Sequence, residues 1–226
     1  MNLVRSLLFN LIFYPGTLVF VLAGLAIFPV GERPMRVVVH GWARFHQLLT
    51  RHLLEIEDRF EGEWPAGQVL IVMKHQSMYE AVATLRLFET PVVVMKNQLS
   101  DMPLFGWLTR RYGVIGVDRE AGASALRTMM AEAKAAIAGG RPVIIFPEGT
   151  RVPYGESPPL QPGFAGLYRA LGLPVVPVSH DVGRLWHKGF LKRSGTVHFK
   201  VGEVIPSGLK RDEIEARVHT AINALN

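Results

Sequence analysis

The run Val69-Leu70-Ile71-Val72-Met73, followed at once by Lys74-His75-Gln76-Ser77-Met78-Tyr79-Glu80, decides the fold. Five apolar residues without polar alternation read as a strand covered on both faces, and the polar turn after them leads into a helical stretch over about Tyr79 to Phe88. The same grammar recurs along the chain. Further short apolar runs lie at Val92 to Met95, Val114 to Val117, Val143 to Phe146, Val175 to Val178 and Val197 to Val201. Between several of them come helical stretches, Ala123 to Ala138 closed by Gly139 and Phe164 to Leu171 closed by Gly172, with Asp212 to Leu225 as a closing helix. This pattern predicts an α/β fold, a mixed sheet flanked by helices. Sites in such folds gather where strands end and helices begin, which directs attention to the residues after Met73 and after Phe146.

Upstream of the alternating region the chain reads differently. About two dozen uncharged residues run from Ser6 to Val30, near the ~20 needed to cross a bilayer. Pro15 and Gly16 interrupt the run, so it reads as two apolar helices, Leu3 to Tyr14 and Thr17 to Phe28, forming a hairpin that dips into one leaflet; a kinked single span and a cleaved signal peptide are the alternatives. From Pro34 to Glu55, Val37, Val38, Trp42, Phe45, Leu48, Leu49 and Leu53 recur at helical spacing. The other face carries Arg36, His40, Arg44, His46, Arg51 and His52. That is an amphipathic helix suited to lipid headgroups, or equally to packing on the body of the protein. The expected division is residues 1–55 as membrane-associated helices and 56–226 as one catalytic domain.

The 226 residues are 49% hydrophobic, enough for one sizeable core, and no internal repeat or Ser-rich linker divides them. The chain has no cysteine, which excludes disulfides, thiol nucleophiles and cysteine metal sites. A net charge of +6 suits an anionic partner such as a phosphorylated substrate, an acidic carrier protein or an anionic lipid surface. The long apolar segment favours lipid over nucleic acid.

His75 precedes Glu80 by five residues. On one continuous helix that spacing turns the side chains about 140° apart. With His75 in the turn and Glu80 in the first helical turn, the carboxylate can fold back, fix the ring tautomer and leave the other ring nitrogen to take a proton from a hydroxyl. Ser77-x-x-Glu80 is also a capping-box pattern, so Glu80 can instead serve the Ser77 amide. A serine nucleophile at Ser77 lacks a Gly-x-Ser-x-Gly elbow. After the run Val143 to Phe146 comes Pro147-Glu148-Gly149-Thr150-Arg151, in which glycine permits close backbone approach and Arg151 can grip a phosphate in two parallel hydrogen bonds. Lys96 and Arg119, each at an inferred strand end, can add positive charge.

Taken together, Lys74 to Ser179 resembles the glycerolipid acyltransferase family, in which a His-x4-Asp motif is followed by three further blocks. Here the blocks are His75 to Glu80; Lys96-Asn97-Gln98-Leu99 with Pro103, Gly106 and Gly113 to Arg119; Phe146 to Arg151; and Val175 to Val178. The departure is Glu80 in place of the commoner Asp. The resemblance implies transfer of a fatty acyl group from an acyl thioester, acyl-CoA or acyl-acyl-carrier protein, to the sn-2 hydroxyl of 1-acylglycerol-3-phosphate, giving phosphatidate. It further implies His75 as base relieved by Glu80, a substrate phosphate held by Lys96 and Arg151 with Arg119 beside them, and Glu148, Gly149 and Thr150 shaping that turn. No metal or bound cofactor is expected. Turn amides or the helix amino end near Ser77 would receive the oxyanion, and the cytoplasmic face of a bacterial inner membrane is the expected place. Another lysolipid acceptor such as a lyso-ornithine lipid, a catalytically silent lipid-binding scaffold, and a lipase are the rival readings.

Overall fold

The computed structural model describes residues 1–96, 104–118 and 122–226. Two long helices come first, α1 (Asn2–Ile27) and α2 (Glu32–His52). The order then continues β1 (Ile56–Glu61), β2 (Leu70–Met73), α3 (Tyr79–Leu87), β3 (Val92–Lys96), α4 (Phe105–Tyr112), β4 (Ile115–Val117), α5 (Gly122–Ala138), β5 (Val143–Ile145), α6 (Gly163–Leu171), β6 (Val175–His180), β7 (Gly195–Val201) and α7 (Arg211–Ile222). The strands form one sheet in the order β1-β7-β6-β2-β5-β3-β4. All neighbours run parallel except β6 and β7, so the expected mixed sheet is present.

Alternation along the central strands sorts the core into two layers. Ile71 and Met73 of β2 face a cluster that includes Phe9 and Phe13 of α1, Tyr79 of α3 and Trp186. Leu70 and Val72 face the other way, onto Met129 of α5, Phe164 of α6 and Ile214, Val218 and Ile222 of α7. Strand β1 escapes a reading by apolar runs because it is an edge strand, paired only with β7, and Glu57, Arg59 and Glu61 point to solvent.

The amino-terminal region corrects the sequence reading at one point. Pro15 and Gly16 do not break the apolar run, and α1 passes through both as a single helix. Pro15 and Leu11, whose carbonyl loses its helical donor, lie on the exposed side. Gly16 serves packing: a Cβ there would sit 2.4 Å from the ring tip of Phe45 on α2. Just beyond, Trp42 Nε1 donates to Thr17 Oγ1 at 3.0 Å. The hairpin is therefore α1 against α2, turning at residues 28–31. By length and composition α1 could cross a membrane.

Helix α2 packs against α1, α3 and α4, and this shifts its buried face from the expected one. Val37 and Leu48 are exposed, while His46 is buried. The imidazole stacks on Trp186 and meets Phe9, Phe13 and Tyr79 at their edges. Burial, with the nearby Arg86 charge, lowers its pKa from 6.5 to about 3.

A histidine that stays neutral in the fold but takes a proton when unfolded contributes stability in full above pH 6.5, and loses it as pH falls towards 3. Over that window the wild type should lose up to about 1.4 kcal/mol per pH unit relative to His46→Phe. Chemical denaturation in detergent at several pH values measures the difference, and parallel pH dependences for the two proteins would refute this account of His46.

Candidate active site

Parallel pairing of β2 with β5, β5 with β3 and β3 with β4 brings their carboxyl ends to one edge of the sheet. His75 follows β2, Phe146 to Arg151 follow β5, Lys96 closes β3 and Asp118 follows β4. These segments line a groove of about 870 Å³ that takes in His75, Ser77, Lys96, Gly149, Thr150 and Arg151. The remaining wall is largely apolar, with Met78, Met95, Leu126, Met129 and Phe164 among its residues. Arg119 lies outside the described residues, as do 97–103 of the second motif block.

His75 and Glu80 meet as the turn-then-helix reading requires. The His75 Nδ1 to Glu80 Oε1 distance is 2.8 Å. The same oxygen accepts the amides of Gln76 at 2.8 Å and Ser77 at 2.7 Å, so Glu80 reaches back to the turn and pairs with the histidine at once. The other half of a capping box is absent: Ser77 Oγ instead accepts from Tyr79 N at 3.3 Å. The two turn amides expected for an oxyanion are therefore already committed to Glu80. Burial pushes the Glu80 carboxyl up, but the His75 hydrogen bond, the neighbouring His180 and His75 imidazoles and the Ser77 amide together outweigh it and leave it below its ordinary value. An ionised carboxylate only accepts, so Nδ1 carries the ring hydrogen and Nε2 is the basic nitrogen. The ring stacks on Phe146, centroids 4.4 Å apart, and keeps 20% of its side chain exposed.

The turn after β5 is stitched to the turn after β2. Glu148 Oε2 accepts the His75 amide at 2.8 Å, and Val152 N donates to the His75 carbonyl at 2.7 Å. Gly149 has φ +69°, a left-handed conformation that glycine takes without strain. Glu148 does not line the groove; it is buried beneath it, its Oε1 2.7 Å from Lys74 Nζ, with both side chains fully enclosed. Burial pushes its carboxyl up against the pull of Lys74 and the His75 amide.

Several residues at the site escape a sequence reading. Lys74, directly after β2, is wholly buried. His180, at the end of β6, donates from Nε2 to the Lys74 carbonyl at 2.7 Å, and His187 Nδ1 lies 2.7 Å from the Gln76 carbonyl. Among the described residues no three His, Asp or Glu side chains converge to hold a metal.

Comparison with known proteins bears on the family and the fold. The family model described as Acyltransferase matches residues 36–181. A 1-acyl-sn-glycerol-3-phosphate acyltransferase of Pseudomonas aeruginosa is 35% identical over 207 residues, covering 88% of this chain and 79% of the relative. A lyso-ornithine lipid O-acyltransferase of the same organism is 32% identical over 75% of this chain and 72% of its own. The fold resembles the crystal structure of the 1-acyl-sn-glycerophosphate acyltransferase of Thermotoga maritima, with TM-score 0.77, 24% identity and coverage of 99% and 95% of the two chains.

Removing one member of a buried ion pair leaves the other uncompensated, at a cost of roughly 3–5 kcal/mol. Lys74→Met should destabilise by that order, and adding Glu148→Gln should recover much of it by removing the stranded charge. Denaturant titration of both variants checks this; a double variant no more stable than Lys74→Met would mean the charges do not act as a pair.

Proposed function

The chain belongs to the acyltransferase family, and on that premise we propose that it moves a fatty acyl group from a thioester to the sn-2 hydroxyl of 1-acylglycerol-3-phosphate, giving phosphatidate. One observation carries the reading. A histidine backed by a buried carboxylate shares a single groove with Lys96 and Arg151, so a base and two cations face the same apolar-walled space. The relative at 35% identity bears the corresponding name.

In this mechanism the acceptor hydroxyl oxygen attacks the thioester carbonyl carbon while His75 Nε2 takes its proton. Glu80 steadies the imidazolium. The C–S bond then breaks and the departing thiolate, of coenzyme A or an acyl-carrier protein, recovers the proton. Arg151 and Lys96 hold the acceptor phosphate by charge-assisted hydrogen bonds, and the fatty chain lies along the apolar wall. The amino end of α3 turns its positive pole towards the developing oxyanion. The thioester is already activated, so the step calls for no metal or resident cofactor. A lyso-ornithine lipid is the second acceptor, favoured by the relative at 32% identity.

We further assign residues 1–55 to membrane attachment. Leu7, Leu11, Leu18 and Leu22 form an exposed stripe on α1, and Val37 and Leu48 are exposed on the face of α2 that also carries Arg44 and Arg51. The cytoplasmic face of a bacterial inner membrane is the corresponding place.

Transfer by purified protein, crossing a panel of lysolipids with both thioester donors and read by mass spectrometry, tests the function. Lysophosphatidate should be preferred. His75→Ala and Glu80→Gln should each lower turnover by about 10²–10⁴ while remaining folded, and Arg151→Ala should raise KM for lysophosphatidate at least tenfold more than for the thioester. Near-normal turnover of His75→Ala would end this mechanism, and a preference for lyso-ornithine lipid would select the second acceptor. For attachment, Leu11→Glu with Leu18→Glu should abolish flotation with anionic vesicles. Undiminished flotation would place the contact elsewhere.

A further inference from the structure

Lys74 stands immediately before His75, and its ammonium is fully enclosed. Nζ donates to the Glu156 carbonyl at 2.7 Å and to Asn223 Oδ1 at 2.6 Å, and forms an ion pair with Glu148 Oε1 at 2.7 Å. Two of the three ammonium hydrogens go to these oxygens, and the carboxylate supplies the counter-charge. Asn223 lies just beyond α7 and is itself oriented, because its Nδ2 donates to the His219 carbonyl at 2.7 Å and thereby turns Oδ1 towards Lys74. On the other flank of His75, Gln76 Nε2 donates to Asn226 Oδ1 at 3.0 Å, and Gln76 Oε1 accepts the Gly183 amide at 2.8 Å. Asn226 Nδ2 donates to the same Glu156 carbonyl that Lys74 uses, at 2.7 Å. Both sequence neighbours of His75 are thus tied to residues that follow α7.

We propose that Lys74 and Asn223 are positioning residues for His75, and that the end of α7 is part of the apparatus that aims the base. The path is short. Asn223 fixes the Lys74 ammonium, the ammonium fixes the Glu148 carboxylate through Oε1, and Oε2 of that carboxylate holds the His75 backbone amide at 2.8 Å. Among the described residues Glu80 is the one side chain that bonds the His75 ring, so placement of the ring over the groove depends on where the backbone is held. A misplacement of about 1 Å at a reacting group costs on the order of 10²-fold in rate. Without Asn223 one ammonium hydrogen loses its acceptor in a site closed to water; the ammonium re-aims, and Glu148 follows it.

The inference rests on His75 acting as the base, so its test includes a readout independent of turnover. Asn223→Ala removes the acceptor, Asn223→Asp retains one, and Val218→Ala loosens α7 in its core without touching Lys74. Kinetics in detergent should show kcat down about 10–100-fold in Asn223→Ala with both KM values within about twofold. Asn223→Asp should recover most of that loss, and Val218→Ala should lower Tm while keeping kcat. Hydrogen exchange, followed by mass spectrometry on a peptide spanning the turn after β2, should quicken at the His75 amide in Asn223→Ala but not in Val218→Ala. Unchanged kcat and exchange in Asn223→Ala overturn the proposal, as does an equal loss in Val218→Ala, which would reduce Asn223 to an anchor for α7. If the wild type transfers no acyl group, the functional reading fails, and the exchange result still decides whether Asn223 holds the turn.

Discussion

Two full charges withdrawn from water, Lys74 and Glu148, close the gap between the ends of β2 and β5. Such a pair contributes little to net stability, because desolvation consumes most of the Coulombic attraction. Its value is geometric. Each charge, once buried, must keep its partners, and these partners come from four separate segments: the turn after β2, the turn after β5, the peptide at Glu156 and the residues beyond α7. The groove is assembled around this constraint, with the exposed cation of Arg151 and the imidazole of His75 as its outward-facing members.

Glu80 illustrates how one side chain can satisfy two demands that sequence patterns present as rivals. A single oxygen accepts from His75 Nδ1 and from two backbone amides, so reaching back to the turn and fixing the histidine tautomer are one arrangement. The additional methylene relative to Asp is taken up in that reach. The Gln76 and Ser77 amides, committed to Glu80, are thereby spent on the carboxylate.

What could be read from the sequence was whatever is local. The runs at β2, β5 and β6 are apolar on both faces because the sheet is covered on both faces, and the His75–Glu80 pair spans five residues. Edge strand β1 was hidden, since half its surface faces water and Glu57, Asp58 and Arg59 resemble a loop. Pro15-Gly16 resembled a break because a glycine that admits a neighbouring ring has the same letter as one that ends a helix. The burial of Lys74 was not legible because its partners, Glu148 and Asn223, lie far along the chain. His46 resembled a headgroup ligand, although only the folded packing of α1, α2, α3 and Trp186 makes it part of the core.

Helix α1 is bound to the body by more than apolar contact. Ser6 Oγ accepts the Lys192 amide and lies 3.3 Å from its carbonyl, and the Lys192 ammonium rests over the rings of Phe9 and Trp186. Ser6 and Lys192 are separated by 186 positions. During synthesis α1 therefore emerges long before the segment that completes its inner face: Phe13 can pack on Trp42 and Phe45 of α2 at once, while Phe9 waits for Trp186 and Lys192. Completion of this layer is thus divided in time: α1 and α2, neighbours in sequence, can pair early, and the rest of the inner face of α1 is closed only when Trp186 and Lys192 follow.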